Sequence, residues 1–320
     1  MKIVVSKQVS DEERDELAAV APGADIVVAR GRDAAFEQIG DADAYVPGPW
    51  NKDLLAAAGR LRWVHFDWAG VDSQLYPALV EGDVVVTNAA DMFSIPMADH
   101  VLGMMLGVAR ALLTCARRSP EHLWHARGAR KAITEMVYEL NGATVGIVGY
   151  GGIGRAVAQR AKGFGMTVLA MRRRPQPDEF ADEVWGADRL EELLRRSDYL
   201  ALSCALTDET RGMIGERELA LMKPGAVIVN VARGAVIDEP AMIEALRSGR
   251  LGGAGLDVTA REPLPLDSPL WTMENVVVTP HVAGFSPQTR RRLYELMREN
   301  IRRFAAGEPL LNVVDKRAGY

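Results

Sequence analysis

The stretch that decides the fold covers residues 143–165 and reads ATVGIVGYGGIGRAVAQRAKGFG. Its apolar run at residues 145–148 is typical of a strand buried on both faces. Gly149, Gly151 and Gly154 follow in G-x-G-x-x-G spacing, where the chain must turn and begin a helix. Residues 166–171 predict a second strand, so the stretch indicates a strand–helix–strand unit of a parallel sheet.

The glycine turn predicts a binding site for the pyrophosphate of a dinucleotide. Gly149 permits a tight turn, Gly151 lets the backbone approach the phosphates, and Gly154 lets the helix pack on its strand. The helix N-terminus supplies free N–H groups and the positive end of the helix dipole. The glycines alone leave open a turn that binds nothing, but the strand and helix around them favour a cofactor loop. Its expected members are Gly149, Tyr150, Gly151, Gly152, Ile153 and Gly154.

Composition excludes several classes of protein. The chain has 320 residues, 48% of them hydrophobic and 25% charged, as in ordinary soluble domains. A net charge of −5 argues against a nucleic-acid surface, which needs a basic face. Cys115 and Cys204 lie far apart in apolar stretches, so we expect free thiols and a cytoplasmic location. No secretory signal and no membrane span are expected.

Alternation of short β-branched runs with helical stretches predicts an α/β chain whose parallel sheets are covered by helices. We expect a first domain from residues 1–98 and 284–320, and a second from residues 99–283, with an interdomain cleft for a small ligand. The apolar pattern at residues 96–118 predicts one long buried helix. Its broad apolar face also suits a dimer interface, although packing inside one chain explains the same pattern.

The end of the second strand indicates which dinucleotide binds. An acidic residue about 20 positions beyond the glycines would accept the ribose 2′-hydroxyl of NAD. Arg172, Arg173 and Arg174 stand there instead, and guanidinium groups bind a 2′-phosphate by charge-assisted hydrogen bonds. The sequence therefore favours NADP(H), with NAD(H) as a weaker alternative, over a merely solvated basic patch.

Three ionisable residues follow later strands of the second domain. Arg233, Glu262 and His281 are expected near the carboxyl edge of its sheet, where open α/β sheets bind ligands. Each also has an ordinary reading, as a loop ion pair, a solvated carboxylate and a hydrogen-bonded turn residue. Together, the three residues could converge on a substrate held beside a nicotinamide.

The sequence resembles the D-isomer-specific 2-hydroxyacid dehydrogenases over nearly its whole length. The matching segments are the glycine turn, WAGVD at 68–72, PMADH at 96–100, LTDETR at 206–211, MKPGA at 222–226, NVARG at 230–234, GLDV at 255–258, EPLP at 262–265 and PHVAG at 280–284. The resemblance implies two Rossmann-like domains, a flavodoxin-like substrate domain and a dinucleotide-binding domain.

The resemblance also implies residue roles. Arg233 would bind the substrate carboxylate and polarise its keto oxygen, His281 would be the acid–base residue, and Glu262 would hold the histidine. The amides of Ala69 and Gly70 would bind the carboxylate. Ala205 and Asp257 would belong to the cofactor site, with Asp257 near the nicotinamide carboxamide.

The chain departs from the family pattern at a few positions. Arg172 replaces the Asp of NAD-using members, which is similar to NADPH-preferring glyoxylate/hydroxypyruvate reductases, while Asp99 and Ala205 replace the usual Glu and Pro. Residues that could line the substrate pocket, or merely pack at the domain seam, are Trp50, Trp68, Met92 and Phe285.

The leading hypothesis is an NADPH-dependent 2-keto acid reductase that forms a homodimer and binds no nucleic acid or membrane. The alternative is an NAD(P)H-sensing regulator or corepressor of the same fold. No metal site is expected, because the histidines lack a set of further ligands.

Overall fold

A computed structural model describes residues 1–319, except for the side chain of Glu121. The chain forms two compact units. Unit 1 consists of residues 1–93 and 286–320, and unit 2 of residues 94–285. The boundaries expected from the sequence were 98/99 and 283/284, so unit 2 takes in the start of the helix that follows Phe93.

Within the described chain, unit 1 is built on a five-stranded parallel sheet in the order β2-β1-β3-β4-β5. This order is that of flavodoxin-like folds. Its elements before residue 94 are β1 (Lys2–Val5), α1 (Asp11–Val20), β2 (Asp25–Val28), α2 (Arg32–Ile39), β3 (Ala44–Val46), α3 (Lys52–Ala57), β4 (Trp63–His65), α4 (Pro77–Glu81) and β5 (Val85–Thr87).

The elements of unit 2 are α5 (Ser94–Ala109), α6 (Leu112–Arg117), α7 (Ala129–Thr134), β6 (Thr144–Val148), α8 (Gly152–Gly163), β7 (Thr167–Met171), β8 (Glu183–Trp185), α9 (Leu190–Arg196), β9 (Tyr199–Leu202), α10 (Glu216–Leu221), β10 (Ala226–Asn230), α11 (Glu239–Arg247), β11 (Leu251–Leu256) and β12 (Val276–Val278). The chain then returns to unit 1 with α12 (Pro287–Ala306).

The described strands of unit 2 form a seven-stranded parallel sheet in the order β12-β11-β10-β9-β6-β7-β8. Strand order reverses between β6 and β9, which is the switch point where doubly wound sheets bind ligands at the carboxyl ends of their strands. The expected α/β class with two parallel sheets is confirmed.

Local sequence explains several helix ends. Ser10 accepts a hydrogen bond from the backbone of Glu13, whose carboxylate accepts one in return from the Ser10 N–H, so the two residues form a capping box at the start of α1. The Ser286 hydroxyl caps α12 by accepting a hydrogen bond from Thr289 N, and Gly307 ends the helix at φ 70°. Met297 and Ile301 of α12 are fully buried in one apolar cluster with Ile3 and Val5 of β1.

The prediction of a single long helix at residues 96–118 is wrong. The structure has two helices, α5 and α6, because Ala111 adopts a left-handed φ of 50° between them. Val101, Met104 and Met105 of α5 are buried in a cluster shared with β6, β9 and β10. The apolar face of α5 is therefore used inside unit 2.

Candidate active site

The turn after β6 brings the backbone close to a neighbouring strand end. Gly149 has a φ of 97°, and a Cβ added to it would lie 2.3 Å from the backbone N of Cys204. A Cβ added to Gly154 would lie 2.6 Å from the carbonyl oxygen of Gly149. No larger side chain fits at either position without a shift of the backbone.

Gly151 differs from these two glycines because its side-chain position opens onto empty space. A Cβ there would meet no heavy atom within 4 Å. Gly151 is the N-cap of α8, and the first N–H groups of that helix have no partner within it. The turn therefore fits the pyrophosphate of a dinucleotide, which needs space, N–H donors and the positive end of a helix dipole.

The end of β7 presents a basic surface. Arg172, Arg173 and Arg174 are exposed, and the Arg172 N–H donates to the carbonyl oxygen of Trp185 at 2.9 Å. The carboxylate of Asp178 nearby accepts hydrogen bonds from the Tyr150 hydroxyl at 2.9 Å and from Arg155 Nε at 2.8 Å.

These contacts affect the ionisation of both acidic groups. Burial, followed by the hydrogen bond to Asp178, raises the pKa of the Tyr150 phenol. Burial acts to raise the pKa of Asp178, but hydrogen bonds from Phe180, Arg155 and Tyr150 outweigh it and lower the pKa overall. Asp178 therefore stays ionised and is already engaged by protein donors.

A histidine and a carboxylate form a close pair beyond β11 and β12. His281 Nδ1 lies 2.8 Å from Glu262 Oε2, and the other oxygen of Glu262 accepts from the backbone N–H of Thr259 at 3.3 Å. The side chains of His281 and Glu262 are 53% and 42% exposed. With Nδ1 directed at the carboxylate, Nε2 is the ring nitrogen available for proton transfer.

The turn that carries His281 is held by Asp257, which is 3% exposed. One oxygen of its carboxylate accepts from Thr279 Oγ1 at 2.6 Å and from Val282 N at 2.9 Å, and the other accepts from Ala283 N at 2.9 Å. His281 itself has a φ of 54°. A left-handed histidine is uncommon, and such backbone strain is concentrated at functional sites.

Arg233 follows β10 in a loop that contacts the Glu262 loop. Asn230 Nδ2 donates to the Arg233 carbonyl oxygen at 2.9 Å, and Asn230 Oδ1 accepts from Ala232 N at 2.9 Å. A Cβ added to Gly234 would lie 1.9 Å from the Thr259 carbonyl oxygen, so the two loops touch. The loops of Arg233, Glu262 and His281 therefore meet at the carboxyl edge of one sheet.

A second group of candidate residues follows β4 in unit 1. The carbonyl oxygen of Trp68 accepts from Ala89 N at 3.1 Å, and that of Ala69 accepts from Asn88 Nδ2 at 2.6 Å. In a trans peptide the carbonyl and the following N–H point in opposite directions. The N–H groups of Ala69 and Gly70 are therefore both directed away from the loop after β5.

Aromatic residues lie beside this loop. The ring of Phe66 lies between Trp50, at a centroid distance of 5.6 Å, and Trp68, at 5.1 Å. The indole nitrogens of Trp50 and Trp68 are buried without a hydrogen-bond partner in the protein. Unpaired donors of this kind are rare in a folded interior and suit a ligand oxygen or water. Met92 is partly buried in unit 1, and Phe285 is 75% exposed in unit 2.

No group of three or more His, Cys, Asp or Glu side chains among those that the structure describes could hold a metal ion. None of the helices described is both long and apolar enough to cross a membrane. Cys115 and Cys204 are free, and burial raises the pKa of the Cys204 thiol to about 11.

A glycine turn that fits a pyrophosphate, and a paired histidine and carboxylate at the carboxyl edge of the same sheet, are typical of the class of nicotinamide-dependent dehydrogenases. Residues 102–283 match the family described as D-isomer specific 2-hydroxyacid dehydrogenase, NAD binding domain. The chain belongs to the D-isomer specific 2-hydroxyacid dehydrogenase family. It is an oxidoreductase that transfers a hydride between a nicotinamide dinucleotide and a small 2-keto or 2-hydroxy acid.

Relatives of known name agree with this assignment. The chain is 38% identical over 287 residues to a glyoxylate reductase of Korarchaeum cryptofilum, covering 88% of this chain and 85% of that protein. A D-isomer specific 2-hydroxyacid dehydrogenase from Xanthobacter autotrophicus, solved with NADPH and MES, has a TM-score of 0.84 and 34% identity, covering 100% of this chain and 99% of that one. The NADPH-dependent glyoxylate/hydroxypyruvate reductase of Sinorhizobium meliloti, solved with NADP and sulfate, has a TM-score of 0.84 and 30% identity, with the same coverage.

Some residues of the site have no strong signal in the sequence. Asn88 and Asn230 both use a side-chain amide to hold a loop that carries candidate site residues. Asparagine just after a buried strand is a weak signal by itself, because it is common in turns. Ala205 lies after β9, where its carbonyl oxygen accepts from Thr210 Oγ1 at 2.7 Å.

Proposed function

We propose that the protein reduces small 2-keto acids with NADPH, and that glyoxylate and hydroxypyruvate are its first candidate substrates. The observation that carries the proposal is the His281–Glu262 pair, 2.8 Å apart at the same sheet edge as the turn that begins at Gly149. The relatives named glyoxylate reductase and glyoxylate/hydroxypyruvate reductase support this substrate class.

In the proposed reaction, Arg233 binds the substrate carboxylate and polarises the keto oxygen. Bound NADPH supplies the hydride that adds to the keto carbon. His281 gives its Nε2 proton to the developing alkoxide, so that the keto group becomes a hydroxyl. Glu262 fixes the ring through Nδ1 and stabilises the imidazolium before the proton leaves.

The amides of Ala69 and Gly70 are the second proposed anchor of the carboxylate. Both N–H groups are turned away from the loop that binds the neighbouring carbonyls. Two successive backbone donors directed to one side make a small concave site for an anion. Each contact to a carboxylate is a charge-assisted hydrogen bond, which is stronger than a neutral one.

The preference for NADPH over NADH rests on the end of β7. Arg172 is exposed there, in the position that an NAD-binding chain gives to a carboxylate. The carboxylate of Asp178 already accepts hydrogen bonds from the Tyr150 hydroxyl and from Arg155 Nε. A guanidinium at this position favours the 2′-phosphate of NADP(H), which it can bind by charge-assisted hydrogen bonds. We also propose that Ala205 and Asp257 belong to the cofactor site.

The test is a panel of 2-keto acids with each reduced cofactor, followed by loss of nicotinamide absorbance. Oxidation of NADPH with glyoxylate or hydroxypyruvate, and a lower kcat/KM with NADH, is the expected result. No oxidation with any keto acid would favour the alternative of a dinucleotide-sensing regulator. Equal kcat/KM values for the two cofactors would remove the role given to Arg172.

We also propose that the protein is a homodimer and that it is cytoplasmic. The segment 112–138 exposes large apolar side chains, with Trp124 95%, Tyr138 64% and Leu112 56% accessible. Exposed apolar side chains concentrated in one segment are typical of a protein interface. The two free cysteines suit a reducing compartment.

The oligomeric state can be measured by light scattering during gel filtration. A dimeric mass is expected for the wild type, and a monomeric mass for the double variant Trp124→Ser with Tyr138→Ser. Leu266→Ser is the matched control, because Leu266 is 97% exposed but lies outside the segment. A monomeric wild type at micromolar concentration, or a dimeric double variant, would contradict this interface.

A further inference from the structure

Asn88 contacts the proposed carboxylate-binding loop from the other side. It follows β5 directly and is 5% exposed, so its polar side chain needs partners within the protein. Nδ2 donates to the Ala69 carbonyl oxygen at 2.6 Å, and Oδ1 accepts from Ala90 N at 3.1 Å. The orientation of the amide is fixed by these partners, since a carbonyl needs a donor and an N–H needs an acceptor.

The loop after β5 is itself anchored. Asn88 N donates to the Asn312 carbonyl oxygen at 3.1 Å, and Asn312 Nδ2 donates to the Ala90 carbonyl oxygen at 2.9 Å. Val314 N donates to the Val86 carbonyl oxygen at 2.8 Å, and this bond links the C-terminal segment to β5. Asn88 therefore extends from a braced backbone and holds Ala69 in one orientation.

The Ala69–Gly70 peptide has two orientations that differ in function. With the carbonyl of Ala69 bound to Asn88, the N–H of Gly70 points away from Asn88 and beside that of Ala69. If the peptide turned over, its carbonyl oxygen would take the place of the donor and would repel an anion. One side-chain bond thus separates an anion-binding loop from an anion-repelling one.

We propose that Asn88 is a positioning residue that holds the Gly70 N–H toward the substrate carboxylate and so sets the affinity for 2-keto acids. This inference rests on the proposed function, because it takes the amides of Ala69 and Gly70 as the carboxylate anchor. Asn88 does not touch the substrate. It acts through the Ala69–Gly70 peptide, whose orientation it fixes by its hydrogen bond to the Ala69 carbonyl oxygen.

Asn88→Asp is the sharpest test because it keeps the shape of the side chain. One carboxylate oxygen still accepts from Ala90 N, while the other faces the Ala69 carbonyl oxygen and repels it. Losing one charge-assisted hydrogen bond to the substrate is expected to raise the KM for glyoxylate about tenfold or more. The kcat at saturating glyoxylate should change less, and the KM for NADPH should stay the same.

Asn312→Asp is the matched control. It replaces a similar amide bond, in which Asn312 Nδ2 donates to the Ala90 carbonyl oxygen rather than to Ala69. We expect both variants to lower the melting temperature, and only Asn88→Asp to raise the KM for glyoxylate. Asn88→Ser provides a second variant if Asn88→Asp does not fold, because it loses the bond to Ala69 without adding a charge.

The outcomes separate two failures. If the wild-type protein fails to oxidise NADPH with every keto acid tested, the proposed function is overturned. Wild-type turnover with a KM for glyoxylate within twofold in Asn88→Asp and Asn88→Ser would overturn the role of Asn88 alone. A KM that rises equally in Asn312→Asp would also overturn it, since the effect would then be loss of loop stability.

Discussion

Replacing Glu262 by Gln should separate the catalytic contribution of this residue from any contribution to stability. The variant keeps the size of the side chain and an acceptor oxygen for His281 Nδ1, which lies 2.8 Å from Glu262 Oε2. It removes the negative charge beside the ring. The imidazole therefore stays oriented, but its protonated form loses an electrostatic partner.

The size of the effect follows from distance and exposure. Two unit charges about 4 Å apart attract by about 1 kcal/mol in water and about 4 kcal/mol at an effective dielectric constant of 20. His281 and Glu262 are 53% and 42% exposed, so the lower part of that range applies. A loss of about 1 to 2 kcal/mol corresponds to a fall in kcat of about fivefold to thirtyfold.

Stability should change much less than activity. Ion pairs with this exposure contribute between about 0 and 1 kcal/mol to the free energy of unfolding. The assay is steady-state reduction of glyoxylate with NADPH, together with urea unfolding of each variant. Glu239→Gln is the matched control, because Glu239 accepts from Ala260 N at 2.9 Å in the same loop region without pairing with His281.

Two results would refute this reasoning. A kcat within twofold of the wild type would mean that the charge of Glu262 does not assist proton transfer. An equal fall of kcat in Glu239→Gln would mean that the loop, and not the carboxylate beside His281, is responsible.

Three further predictions concern the cofactor turn and its surroundings. Gly151→Ala should keep the wild-type melting temperature and weaken NADPH binding. Gly149→Ala should lower the melting temperature by disrupting the turn, because its Cβ would lie 2.3 Å from Cys204 N. Equal melting temperatures for the two variants would contradict this prediction. Arg172→Asp should raise the KM for NADPH about tenfold and lower that for NADH; unchanged values for both would contradict it. The Cys204 thiol, with its pKa raised to about 11, stays protonated in the folded protein while the unfolded chain ionises from about pH 8.5. The free energy of unfolding should therefore fall by up to about 1.4 kcal/mol per pH unit between pH 9 and 11, and Cys204→Ser should lack that part of the decline when urea unfolding is compared across pH.

Features encoded by a few neighbouring residues could be predicted from the sequence. The glycine spacing of residues 149–154, together with an apolar strand before it, predicted the turn into α8 and the parallel sheet around it. The expectation that Arg233, Glu262 and His281 follow strand ends needed only the strand pattern, since parallel strands end at one edge.

Features that depend on distant contacts could not be predicted. The bond from Asn88 to Ala69 depends on the register of β4 against β5, which the sequence does not state. The hydrogen bonds from the His281 turn to the Asp257 carboxylate likewise join groups up to 26 positions apart in the sequence.

The break between α5 and α6 shows a different limit. The apolar pattern continues through Ala111, and alanine is the residue with the highest helix propensity. Its left-handed φ of 50° opposes that preference. Arg110 Nη1 donates to the Tyr138 carbonyl oxygen at 3.1 Å, so a contact from a distant segment accompanies the break. Tertiary contacts of this kind override local propensity without a trace in the local sequence.

We propose that His281 is the proton donor for reduction of a 2-keto acid by NADPH. The most direct measurement compares NADPH oxidation with glyoxylate in the wild type and in His281→Ala, with NADPH affinity determined by fluorescence titration of both. We expect turnover by the wild type, none by His281→Ala, and the same dissociation constant for NADPH in both. A near-normal rate in His281→Ala with NADPH still bound would contradict it.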